Sequence, residues 1–439
     1  MTSMHSLLGR SQGAAVRKLP WRARFARRLV LDRLSRIRRD RVSVRDEVDG
    51  ASFRFGDPDG DGLSATLRVL DPSFWTGLLA RGSVGVGEAW TAGAWTCDDL
   101  TGLVRIMLRN RSVLDGLEGG LAKLSAPLLQ LFHLRRGNTK DGSRRNIAAH
   151  YDLGNDFFEL FLDPTMSYSC GVFEREDASM ADASLAKIDR LCRKLALRPG
   201  DRLLEIGTGW GALAVHAAKQ YGCHVTTTTI SREQFDGARR RIDEAGVSGR
   251  VELLLQDYRD LRGRFDKLVH CEMVEAVGAP FLPGFMARCA DLLEPHGVMA
   301  MQAITIADQH YARSLREVDF IKRYIFPGSF IPSTTALLDA ATASSDLRLT
   351  HFEDLGPHYA RTLRSWRETL YRNLPAIRAT GRDDAFLRMW EYYLCYCEGG
   401  FAERFLGLGQ FVFTRPEARP SPILARREAL CDLIPDVAV

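Results

Sequence analysis

The chain has 439 residues, enough for two or three domains and a substantial core. It is 45% apolar and 26% charged, with no apolar run near the roughly 18 residues of a membrane span, so collagen-like, disordered and integral-membrane classes are excluded. The net charge of +5 is uneven: residues 1–45 carry thirteen Arg or Lys against Asp32 and Asp40, a balance of +11, and the remaining 394 residues therefore sum to −6.

The opening MTSMHSLLGRSQGAA lacks the apolar stretch of a secretory signal. Nine dispersed cysteines without a CxxC pair argue against structural zinc and against a disulfide framework, which predicts a reduced cytoplasmic compartment. WRARFARRLVLDRLSRIRRD predicts a basic amphipathic helix, its stripe formed by Trp21, Phe25 and Leu29 and continued by Val30, Leu34 and Ile37. Three partners suit it: an anionic membrane, nucleic acid, or the neighbouring domain. Residues 46–135 begin with short apolar runs divided by turns such as Asp57-Pro58-Asp59-Gly60, the pattern of hairpin strands. DGDG there lacks the EF-hand spacing and distal Glu, so it reads as a turn and no metal is expected. An apolar stretch at Leu121–Leu134 precedes a polar linker at 136–145, where the main domain boundary is placed.

Beyond Ala181 strands and helices alternate. Strands are predicted at Arg202–Ile206, His224–Thr229, Val251–Leu255, Lys267–Cys271, Val298–Ala303, Leu347–Leu355 and Gln410–Thr414. Ser231 opens a helix, with Gln234 at the capping-box position. Such alternation predicts an α/β fold with a parallel sheet covered on both faces.

Leu204-Glu-Ile-Gly-Thr-Gly-Trp-Gly211 is the most informative stretch. Gly207, Gly209 and Gly211 let a cofactor approach the backbone after the first strand. A GxGxG spacing, with Glu205 just before it, suits the cationic end of S-adenosylmethionine better than a dinucleotide pyrophosphate. The second strand ends in hydroxyls rather than an acid, so Thr229 and Gln234 are expected to hold the ribose. Asp257 is placed to accept from the adenine amine and Tyr258 to stack on the ring.

These motifs, together with Asn146–Phe158, Met166-Ser-Tyr-Ser-Cys170, Gln256–Arg259, Glu272-Met-Val-Glu-Ala-Val-Gly278 and Gly356–Leu363, make the chain resemble a cyclopropane fatty acid synthase. The resemblance is dense over residues 143–416 and weak over 50–110. It implies a class I methyltransferase, a Rossmann-like parallel sheet with helical lipid-pocket insertions, preceded by a smaller α+β N-terminal domain. The implied domains are a basic arm at 1–45, a lipid-docking domain at 46–135, the linker, and a catalytic domain at 146–439.

The implied reaction transfers a methyl group to the cis double bond of a phospholipid acyl chain, leaving a carbocation that loses a proton as a cyclopropane closes. The pocket must exclude water, and aromatic faces stabilise the cation. Tyr311, Phe320, Tyr324, Phe326, Phe330, Tyr359, Trp366, Tyr371, Trp390, Tyr392, Tyr393 and Phe401 supply such faces, and each also suits ordinary core packing. The resemblance implies a bound bicarbonate ion as base, held by the Cys170 main chain, Glu275, Gln302, Ile304 and Tyr359, with Tyr168 and Ser169 near the cofactor. Two positions depart from the family: Ala276 and Gln302 stand where His is common, and Gln takes no proton at physiological pH. Methylation without ring closure, and a soluble small-molecule substrate, therefore stay open. The resemblance further implies a cytoplasmic enzyme peripheral on the inner face of the membrane through the basic arm, with unsaturated phospholipid and not nucleic acid as partner, and a homodimer.

Overall fold

A computed structural model describes residues 18–57, 62–117, 136, 138–140, 142, 143, 145, 146, 154–420 and 423. The turn at 58–61, the apolar stretch at Leu121–Leu134 and most of the Asn146–Phe158 motif lie outside them.

The basic segment folds as a helix over Trp21–Leu34. Its core face keeps the second half of the predicted stripe, Val30, Leu34 and, just past the helix, Ile37, but not the first, Trp21, Phe25 and Leu29. Ala23, Ala26, Val30 and Leu34 are buried, and the three larger side chains point outward. Small alanines let the helix sit close to its neighbours, so they take the inner face. The next strand, β1 (Arg41–Asp46), crosses the boundary expected at residue 45. It pairs antiparallel with β2 (Ala51–Gly56) and parallel with β3 (Ser64–Val69), which pairs antiparallel with β4 (Trp95–Cys97). β2 and β3 are thus not a hairpin, because β1 lies between them. Buried Asp46 ties the layers together by accepting from Trp75 Nε1 and Arg27 Nη1, both at 2.9 Å. Helix and sheet form one unit, not an arm followed by a domain.

The second sheet contains β5 (Arg202–Ile206), β6 (His224–Thr229), β7 (Val251–Leu255), β8 (Phe265–Cys271), β9 (Leu293–Ile306), β10 (Arg348–Asp354) and β11 (Leu406–Thr414), in the order β10-β11-β9-β8-β5-β6-β7. β5 to β9 are parallel, whereas β11 runs antiparallel to both β9 and β10. The chain leaves β5 toward β6 on one side and returns to β8 on the other. A crevice opens at such a reversal, at the carboxyl ends of the strands. The predicted strands match these elements to within a few residues.

Helices Gly356–Arg372 and Asp384–Ala402, inserted between β10 and β11, pack on each other, and the second also packs on the N-terminal helices Ser73–Thr91 and Leu100–Arg109. The joint is close. A Cβ on Gly399 would lie 2.6 Å from Val104, and one on Gly87 would lie 2.3 Å from the Phe320 ring. The expected linker is also part of this body: Asn138, Ser143 and Asn146 are buried, and Asn138 Nδ2 donates to the Gly328 carbonyl at 2.8 Å. Its polar residues serve buried backbone groups instead of water.

Candidate active site

The crevice opens into a cavity of about 900 Å³, near the top of the roughly 300–1,000 Å³ range of ligand sites. It runs from the ends of β5, β6 and β7, past β8, to an apolar channel. That channel's far wall is the N-terminal domain, with Val42, Val44, Leu67, Trp75, Leu103 and Met107.

At the first end the three turn glycines all adopt positive φ, at +97° for Gly207, +52° for Gly209 and +85° for Gly211. Gly211 is also tight, since a Cβ there would meet Ala238 Cβ at 3.2 Å, while Gly209 has open space before it. Glu205 is buried, accepts from Thr227 Oγ1 at 2.6 Å, and is pushed up to about 8 by burial. A cation beside it restores the charged form. Thr229 Oγ1 donates to Gln234 Oε1 at 2.9 Å, and both line the cavity. Ser231 caps the following helix by accepting from Gln234 N at 3.3 Å; the Gln234 side chain goes to Thr229 and does not complete a capping box. Asp257 lines the cavity too, yet its carboxylate closes on Arg259, at 2.8 Å to Nε and 2.7 Å to Nη2. Burial works against this charge, but the Arg259 bonds hold the carboxyl below its ordinary range. The expected adenine acceptor is thus already engaged by its neighbour. Tyr258 lines the wall edge-on to Phe285.

Where cofactor end and channel meet, two carboxylates follow β8. Glu272 accepts from Cys170 N at 2.9 Å and Gln302 Nε2 at 2.7 Å on one oxygen, and from the Tyr359 hydroxyl at 2.5 Å on the other. Glu275 accepts from Ile304 N at 2.5 Å, and its other oxygen is buried without a hydrogen-bond partner. Burial, then the charge of Glu272, pushes Glu275 up to about 8. Burial also raises Glu272, against the pull of its three donors. Cys170, Gln302, Ile304 and Tyr359 do converge here, as expected, but on the protein's own carboxylates. The ion's expected donors are engaged, so bicarbonate does not fit this arrangement. The Cys170 thiol is buried and raised well above its ordinary value, and it contributes its main chain, as expected.

A buried chain fixes the orientation of Gln302. Lys194 Nζ donates to Gln410 Oε1 at 2.7 Å, and Gln410 Nε2 donates to Gln302 Oε1 at 2.9 Å. Because the ammonium only donates, both amides must point their N–H groups toward Glu272. Sequence reasoning gave Glu272, Lys194 and Gln410 no role. The signal for Glu272 was its spacing from Glu275, two acids three residues apart at a strand end among apolar neighbours.

Of the twelve candidate aromatics, Phe326, Phe330, Tyr359, Tyr392, Tyr393 and Phe401 line the cavity, and the other six pack elsewhere. Tyr359 and Phe401 stack with centroids 4.3 Å apart. Tyr168 lines the cavity but turns its hydroxyl to Tyr393 at 2.9 Å, with its ring stacked on Trp366. Ser169 accepts from buried Lys187 at 2.7 Å.

Comparison with known proteins gives a consistent pattern. Residues 138–411 match the family described as mycolic acid cyclopropane synthetase. The tuberculostearic acid methyltransferase UfaA1 of Mycobacterium tuberculosis is 39% identical over 376 residues, 84% of this chain and 86% of that protein. The cyclopropane-fatty-acyl-phospholipid synthase of Escherichia coli is 35% identical over 353 residues, 80% and 88% respectively. Among solved structures, the mycolic acid cyclopropane synthase CmaA1 complexed with SAH and CTAB superposes with a TM-score of 0.58 at 32% identity, covering 62% of this chain and 98% of that one.

Proposed function

The chain belongs to the mycolic acid cyclopropane synthetase family and is an S-adenosylmethionine-dependent methyltransferase, and from that premise we propose that it methylates the cis double bond of an unsaturated phospholipid acyl chain, closing a cyclopropane. The observation that carries this reading is the single cavity joining a glycine-turn cofactor end to an apolar and aromatic channel, with no histidine among its described lining residues. A soluble polar substrate has no use for such a channel.

Bound at the first end, S-adenosylmethionine supplies an electrophilic sulfonium methyl. Glu205, Gly207, Gly209, Thr229 and Gln234 hold and orient it, and Ser169, Asp257 and Tyr258 complete the wall. Gly211, expected among them, is not a lining residue and instead lets the next helix pack on Ala238. The channel aligns the alkene and excludes water, which would trap a carbocation. The rings of Tyr359, Phe401, Phe326 and Tyr393 line the cavity around that cation, which aromatic rings stabilise electrostatically. With labelled S-adenosylmethionine, label should enter the lipid of dioleoyl but not distearoyl phosphatidylglycerol vesicles. Equal labelling of both, or of neither, refutes an alkene substrate. A methyl-branched product without a ring is the second reading, favoured by the name of the 39% identical relative and by Gln302 in place of a titratable His.

Cofactor binding should carry a pH signature. Without ligand, burial keeps Glu205 largely protonated at neutral pH despite the Thr227 hydroxyl and the charge of Lys187; binding a cationic ligand drives it toward the carboxylate. Affinity for S-adenosylmethionine should therefore rise from pH 6 to 8, with proton release visible by calorimetry in buffers of different ionisation heat. Glu205→Gln should abolish the release and weaken binding at least tenfold. A release unchanged in the variant contradicts the assignment.

The basic helix is proposed as the membrane contact. Trp21, Phe25 and Leu29 are 67%, 53% and 37% exposed in a row, flanked by exposed Arg22, Arg24 and Arg28. Apolar side chains between cations suit the headgroup boundary of an anionic bilayer. No described helix is long and apolar enough to cross a membrane. Removing residues 1–45 would also remove β1, so substitution is the cleaner test. Changing all three to Ala should lower partition onto anionic vesicles at least tenfold and leave cofactor affinity unchanged. Unaltered partition rejects the contact.

A further inference from the structure

The carbocation left on the acyl chain must lose a proton, and one side chain is held where an acceptor is needed. Glu272 lines the cavity at the junction of cofactor end and channel. Its carboxylate gathers the Cys170 N–H, the Gln302 amide and the Tyr359 hydroxyl, the donors that an external anion would have to use. Its backbone has φ +50°, a left-handed conformation costly for a residue with a long side chain. Such a conformation persists where the surroundings over-determine it, here through three donors from three distant segments. Gln302 is aimed at Glu272 by the chain from Lys194. The remaining donor, Ile304 N, is occupied by Glu275.

We propose that Glu272 is the base of the reaction, a built-in carboxylate that replaces an external anion. The proposal rests on the lipid-methylation reading. In the step, the sulfur–methyl bond breaks with its electron pair staying on sulfur, while the alkene π pair forms the new carbon–carbon bond. A C–H bond of the transferred methyl then breaks. Its proton goes to a Glu272 oxygen and its electron pair closes the ring, or forms an exocyclic alkene if the cation has first shifted along the chain. Glu272 becomes a neutral acid and returns the proton to solvent. No oxidant or reductant is needed, and the same acceptor serves both product types.

The test uses the full chain with dioleoyl phosphatidylglycerol vesicles, with and without bicarbonate in CO₂-free buffer, and ¹³C-bicarbonate as a binding probe. Wild-type turnover should be the same in both buffers. Glu272→Gln should lose at least 100-fold in lipid product while binding S-adenosylmethionine normally. Glu272→Gly, which suits the positive φ and empties the site, should be inactive without bicarbonate and partly rescued by it. It should also broaden the ¹³C-bicarbonate resonance, which wild type should not. Wild-type turnover that requires bicarbonate, ¹³C-bicarbonate binding by wild type, or a Glu272→Gln enzyme at the wild-type rate overturns the proposal. Absence of any lipid product from wild type in either buffer overturns the lipid reading instead, and the ¹³C measurement still decides whether Glu272 fills the anion site.

Discussion

At pH 8.5 the Glu275→Gln protein is expected to be more stable than wild type by on the order of 2–4 kcal/mol, and at pH 5 the two should be nearly equal. The sign follows from burial. Glu275 is pushed up from its ordinary 4.5 to about 8, so between those values the folded chain holds a proton that the unfolded chain has released. Stability from this site is therefore full at low pH, falls as pH rises through that window, and levels off above about 8. Ionised Glu275 would face the Glu272 charge with one oxygen buried and unpartnered. Gln keeps the acceptor for Ile304 N and never acquires the charge. Urea unfolding at pH 5, 7 and 8.5 measures the difference directly. A wild-type to variant gap that does not change with pH would show that Glu275 is already ionised at neutral pH.

The second large effect lies at the joint between the N-terminal domain and the channel helices. Glu398 is buried and accepts from Arg367 Nη2 at 2.8 Å, Arg364 Nε at 3.0 Å and Thr101 Oγ1 at 3.3 Å. Thr101 belongs to the N-terminal helix Leu100–Arg109, so this carboxylate links the two halves of the channel wall. Glu398→Ala leaves the largely buried Arg367 without its counter-ion, a change that costs about 3–5 kcal/mol. Chemical denaturation should show that loss, and the variant's lipid activity should fall more than its cofactor affinity. The exposed Arg378–Asp384 pair is the control, since breaking it should cost about 1 kcal/mol or less. Equal effects at both sites would remove Glu398 from the joint.

Much of this architecture was legible in the sequence for identifiable reasons. Arg202–Ile206, His224–Thr229 and Val251–Leu255 stand in the structure as predicted, because short apolar or β-branched runs bounded by turn residues mark strands whether central or, like the last, at the sheet edge. The glycine turn was legible because positive φ at three alternate positions leaves few alternatives to Gly. The N-terminal half was less so. Trp21, Phe25 and Leu29 form the more apolar stripe, yet Ala23 and Ala26 take the core, since close helix packing favours small side chains that periodicity underweights. The parallel pairing of β1 with β3 is a tertiary choice with no local marker. Glu272 left a local signal in its spacing from Glu275, but its partners were hidden for the same reason: the donors stand at 170, 302 and 359, and nothing near position 272 announces them. Asp257 shows the converse, an apparent ligand that its neighbour Arg259 already satisfies.

The most direct measurement supplies S-adenosylmethionine with a trideuterated methyl to the enzyme and dioleoyl phosphatidylglycerol vesicles, then analyses the released chains by mass and NMR. The expected product has gained one carbon carrying two deuterons, with the upfield ring protons of a cyclopropane. Two deuterons on an exocyclic alkene would exchange the ring for a branch while keeping deprotonation of the transferred methyl. Three retained deuterons would contradict deprotonation of the transferred methyl, and no gain by the lipid would contradict methyl transfer to the acyl chain.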